Sequence, residues 1–120
     1  MKKILLIVLP LMLLISCEKD YLVPVAEIPG WLKDRIAETE KEIGGDQKSG
    51  LEITAWIRYT YKGDYFYEFI NPLSSYWPHL YNRKGELMTF STMDIWKYQE
   101  EKCCKTFIWK GPDYIDGIEW

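Results

Sequence analysis

Three cysteines, one histidine and the serine pair Ser74-Ser75 are the residues of this 120-residue chain best equipped for nucleophilic, redox or metal chemistry. A serine with a histidine can supply a nucleophile and its base. Neither serine is framed by the glycines of a nucleophile elbow, however, and His79 follows Pro78 in an irregular stretch, as surface histidines commonly do. The paired carboxylates Glu38 with Glu40 and Glu100 with Glu101 lie in charge-rich segments of helical pattern, where solvation explains them. The chain has no H-E-x-x-H, no phosphate-binding glycine loop and no calcium loop. The expectation is no catalytic residue, no metal and no cofactor.

Cys103 and Cys104 are adjacent. In an oxidising compartment such thiols tend to pair, but in a strand consecutive side chains point to opposite faces, which opposes ring closure. A vicinal disulfide, two thiols and an intermolecular link all remain open. A metal would need further spaced ligands, and His79 is the single histidine. A structural role is preferred. The competing reading is a redox-active or metal-binding envelope protein that uses Cys103-Cys104, with His79 beside them.

The third cysteine speaks to compartment. Lys2 and Lys3 precede an apolar run from Ile4 to Ile15, broken by Pro10 and ending in Leu14-Ile15-Ser16-Cys17 before the charged Glu18-Lys19-Asp20. A bilayer-spanning helix needs about 20 apolar residues, so this run is too short. It has the three regions of a secretory signal. Its ending resembles the lipobox of bacterial lipoproteins, in which the cysteine becomes the acylated first residue. This implies a signal peptide over residues 1–16 and a membrane anchor at Cys17, with a tether over residues 17–29, where charge and two prolines mix without a period.

Loss of residues 1–16 removes two lysines, so 13 basic residues face 18 acidic ones. Nucleic acid, which requires a basic face, is excluded as a partner. What remains is enough for one small domain with one core, expected over residues 30–114 with a tail at 115–120.

Pro29-Gly30 introduces Leu32, Ile36 and Ile43 on one helical face with Trp31 beside them, and Gly44-Gly45 ends that pattern, so a helix is expected over residues 31–43. From Leu51 the period becomes two, with Leu51, Ile53, Ala55, Ile57, Tyr59 and Tyr61 on one face. Gly63 marks a hairpin turn, and the return strand runs over residues 65–70 to the turn pair Asn71-Pro72. LYNRKGELMTF reads as a second hairpin, Ser91-x-x-Asp94 as a capping box opening a short helix through IWKYQEEK, and residues 105–110 as a final strand. The sum is an α+β domain: an N-terminal helix on a small antiparallel meander, then a short second helix and a strand. Both helices are expected on one sheet face.

The order of PGWLKDRI, RYTYKGDYFYEF, LYNRKGEL and FIWKGPDY over residues 29–114 resembles a family of small secreted or lipid-anchored Bacteroidetes proteins of uncharacterised function. The chain departs from that pattern at NPLSSYWPH, where family members often carry cysteines. The resemblance implies an outer-membrane lipoprotein of the cell envelope and no particular activity. Glu18-Lys19-Asp20 resembles the short signals that send such lipoproteins to the cell surface.

Tyr76 and Trp77 sit in the irregular segment, and Trp56 and Phe66 fall on the strand positions opposite the aliphatic ones. Together they make a candidate binding surface for a peptide, a glycan or an outer-membrane assembly. The competing assignment makes them core, because a domain of this size has few other large groups to bury.

Multiple acyl chains hold a protein stably in a bilayer, so the parent chain is expected almost wholly in the membrane fraction. Cys17→Ala should block maturation. A variant still cut after Ser16 and still membrane-bound would show that Cys17 is not the anchor.

Overall fold

The computed structural model describes residues 21–45, 49–73 and 79–117. Its elements are α1 (Gly30–Ile43), β1 (Ala55–Tyr61), β2 (Asp64–Ile70), β3 (His79–Tyr81), α2 (Ile95–Glu101) and β4 (Cys103–Lys110), with 3-10 turns at Val25–Glu27 and Leu51–Ile53. The four strands form one antiparallel sheet in the order β3-β2-β1-β4. The architecture is α+β, as the sequence implies.

The β1–β2 hairpin follows from its turn. Lys62 and Gly63 both have positive φ, 51° and 79°, which suits the two-residue turn whose twist matches the flanking strands. Tyr61 then faces Asp64, and the register runs without interruption to Ala55 opposite Ile70. That register puts Trp56, Tyr67 and Phe69 on one face and Ile57, Tyr59, Phe66, Glu68 and Ile70 on the other.

The helices cover opposite faces, which corrects the expectation that they share one. Leu32 and Ile36 of α1 are fully buried against Trp56, Tyr67, Tyr81, Ile108 and Trp109. Ile95 and Tyr98 of α2 pack against Ile57, Tyr59, Tyr61, Ile70 and Leu80. The central strand β1 is therefore buried on both sides from Ala55 to Tyr59, so its polar-looking alternate positions, Trp56 and Arg58, are buried too.

Four further details differ from the sequence reading. Residues 51–53 form a 3-10 turn ahead of β1, with Gly111 packed closely against the Glu52 backbone. The expected fourth strand of the meander shrinks to one bridge, Tyr81 to Leu87. Asp94, not Ser91, caps α2, its Oδ1 accepting from Lys97 N at 3.1 Å. Residues 21–28, which the sequence reading places in a tether, are packed on the domain: Tyr21, Val23 and Ile28 join the α1-side core, and Leu22 N donates to Ile108 O at 3.0 Å.

The segment around Asn82 is held to α1 by an aromatic contact. Trp31 Nε1 donates to Arg83 O at 2.9 Å, and a Cβ at Gly85, whose φ is +87°, would fall 2.8 Å from the Trp31 ring.

Truncating a fully buried leucine typically costs about 2–5 kcal/mol, a large share of a small domain's stability. Leu32→Ala should lower the melting temperature clearly, whereas Glu38→Ala on the exposed side of α1 should leave it nearly unchanged. Equal melts would remove α1 from the core.

Candidate functional site

Two places gather chemistry, both at the hairpin-tip end of the sheet. The first is a cleft of about 390 Å³ between the β1–β2 tip and residues 82–93. It exists because β3 is short: after Tyr81 the chain turns away at residues 82–85 and leaves the outer flank of Asp64–Phe66 without a neighbouring strand. Tyr61 and Phe66 lie 5.9 Å apart on its inner side, Met88 and Met93 line it as well, and Asp64, Asn82, Arg83 and Glu86 supply polar groups. Tyr65, also lining it, is exposed, and its ring carries the Arg58 guanidinium at 4.3 Å. Asn82 orders the opposite wall: its Oδ1 accepts from Lys84 N and Glu86 N at 3.0 and 2.9 Å, while its Nδ2 donates to Glu86 Oε1.

The second place is the start of β4. Cys103 and Cys104 form a vicinal disulfide, both residues exposed. The obstacle posed by strand geometry is removed by a β-bulge. Thr60 pairs with Cys103 but Arg58 pairs with Thr106, so two residues, Cys104 and Lys105, stand opposite Tyr59. Cys104 takes a left-handed φ of 67°, which turns its side chain out of alternation and toward its neighbour.

Directly before the disulfide, Lys102 Nζ donates to Glu68 Oε2 at 2.9 Å, and Tyr98 OH donates to the same oxygen at 2.7 Å. Glu68 is 1 % exposed, so these donors offset the cost of burying its oxygens. Lys102 also lies 4.0 Å over the Tyr59 ring. Burial first, and then the Glu68 carboxylate, push the Tyr59 hydroxyl up to about 12. The same causes, in the same order, together with its hydrogen bond to Glu68, raise Tyr98.

Trp56 is core, 2 % exposed between Trp31, Phe69 and Tyr81, which corrects its place in the expected surface. Phe66 is half-buried on the opposite sheet face and lines the cleft, so the two residues share no surface. Tyr76, Trp77, Ser74, Ser75 and Cys17 lie outside the described residues. His79 is exposed on β3, while the cysteines are on β4 at the other edge. Three strand spacings, roughly 14 Å, separate them, so they form no joint site. Among the described residues no three His, Cys, Asp or Glu side chains converge on a metal position.

Sequence reasoning missed Glu68, Tyr98 and Lys102. The spacing of Tyr98 and Lys102, four apart at the end of a short helix, was the available signal. Compared with protein-family models, curated proteins and solved structures, the chain matches none.

A phenol whose ordinary value is 10 and whose folded value is about 12 binds its proton more tightly when folded. That contribution is complete below pH 10 and falls as pH rises from 10 to 12. Denaturant midpoints measured across this window should decline, and Tyr59→Phe should show a shallower decline. Parallel curves for parent and variant would detach Tyr59 from the buried network.

Proposed function

We propose that this chain is a lipid-anchored, non-catalytic binding protein of the cell envelope that receives a peptide segment of a partner protein in the hairpin-tip cleft. The cleft carries the reading. Its three ring side chains, Tyr61, Tyr65 and Phe66, and two thioethers suit an apolar side chain, with methionines adapting to its shape. Asp64, Arg83, Asn82 and Glu86 offer donors and acceptors of both signs for the peptide backbone and flanking charges.

The anchor reading is supported by Leu14-Ile15-Ser16-Cys17 and by the packing of Tyr21 close after it in the chain. Because Tyr21 already packs on the core, only residues 18–20 would separate it from an acylated Cys17. Four residue steps reach at most about 14 Å. The domain would then sit close to the lipid, where partners are membrane proteins.

Capture from detergent-solubilised native membranes tests the proposal. The parent should co-purify a partner that is lost from a Tyr65→Ala/Arg83→Glu variant whose melting temperature stays within about 3 °C of the parent. Both residues are exposed, so the fold should tolerate the change. Undiminished capture by the variant would rule the cleft out, and loss to an added glycan in place of a peptide would replace the ligand class.

A further inference from the structure

We infer that Cys103-Cys104 is a thiol–disulfide exchange site for dithiols, and that its reduction releases the junction between α2 and β4. Three observations carry this. Both cysteines are exposed, on an edge strand, where an incoming thiolate can approach. Cys104 holds a left-handed φ that non-glycine residues seldom adopt, and the disulfide gives that conformation a reason to exist. The bulge at Cys104-Lys105 begins two residues after Lys102, the residue that both ends α2 and pairs with Glu68.

The exchange balances as follows. A thiolate of the dithiol attacks one cysteine sulfur, forming a mixed disulfide, and the other cysteine leaves as a thiolate that takes a proton from water. The dithiol's second thiolate then attacks its own sulfur in that mixed disulfide and expels the first cysteine, which is protonated in turn. The protein gains two electrons and two protons, and the dithiol becomes a disulfide.

Once reduced, the two side chains no longer need to meet. Cys104 is free to return to extended φ, which places the cysteines on opposite faces and allows the bulge opposite Tyr59 to shift. A shift there moves the backbone on which Lys102 sits, and Lys102 is held by Glu68 and lies over Tyr59. Tyr98, on the same oxygen of Glu68, stands 5.3 Å from Tyr61 and 5.6 Å from Phe66, the rings of the cleft. The redox state of the pair is therefore read at α2 and at the cleft.

The test uses the full chain, purified in detergent and poised at graded ratios of dithiothreitol to its oxidised form. Thiols are trapped by alkylation and assigned by peptide mass spectrometry, and hydrogen exchange is followed on the same samples. Cys103 and Cys104 should become alkylated together while the far-ultraviolet circular dichroism is unchanged, and should re-form the disulfide on reoxidation. Amide exchange across residues 101–106 should accelerate at least about tenfold in the reduced protein, with α1 unaffected. A Cys103→Ser/Cys104→Ser variant should reproduce the reduced pattern. Should that variant fail to fold, the reversible titration of the parent still decides. Reduction only upon unfolding would make the disulfide a fixed staple and overturn the exchange site. Reduction with unchanged exchange at residues 101–106 would overturn the release of the junction.

Discussion

A single buried carboxylate organises one side of this domain. Glu68 lies on β2 among Phe66, Ile70 and Tyr59, where an unpaired charge would be expensive to desolvate. Both of its donors come from one short piece of chain: Tyr98 within α2, and Lys102 at the cap of that helix. The two are four residues apart, one helical turn, so they present to a single point on the sheet. α2 has only seven residues and little stability of its own. Its position follows from Glu68 and from the burial of Ile95 and Tyr98. Where α2 ends, β4 must begin, so the same carboxylate helps set the register of the last strand.

The other face is held by apolar and aromatic packing. Trp31 sits 5.6 to 6.0 Å from the rings of Tyr67, Tyr81 and Trp56, and its indole N–H finds the carbonyl of Arg83. The edges of the sheet are managed differently from its centre. Residues 86–88 run along the outside of β3, bonded through Met88 N to Leu80 O at 2.7 Å. On β4 the outer flank receives Leu22, and two bulges with Lys105 and Lys110 blunt the rest.

Much of the fold was legible in the sequence because its signals are local. Gly63 between aromatic runs, the Leu32/Ile36 stripe and the Asn82–Gly85 turn each state their own geometry over a few residues. What was illegible depended on pairings across the chain. Alternation in β1 suggests one buried face, yet a central strand between two helices buries both, and no local pattern tells which face each helix takes. Charge in residues 18–29 reads as tether, although Tyr21, Val23 and Ile28 are enough to fold most of it down. Glu68 reads as a polar strand position because its donors lie 30 and 34 residues away. The disulfide was open for a related reason: a bulge appears only when two strands are aligned.

The cleft inherits its mechanics from this arrangement. Its inner wall, Tyr61 and Phe66, rests on a continuous hairpin and on Tyr98, whose hydroxyl is fixed by Glu68. Its outer wall is a loop tied to the rest of the domain by Trp31 to Arg83, Tyr81 to Leu87, Met88 N to Leu80 O and the packing of Met88 and Met93, with the Asn82 bonds ordering its turn from within. Segments with few buried contacts open at low free-energy cost, whereas core strands do not. Accommodation of the proposed peptide would therefore come from residues 82–93, where Met88 and Met93 provide adaptable side chains. Any change at Cys103-Cys104, in contrast, reaches the cleft from behind, through the rigid wall. Under the two proposals above, the walls would separate fitting from control: the loop side would adjust to the bound peptide, and the helix side would answer to the covalent state of β4.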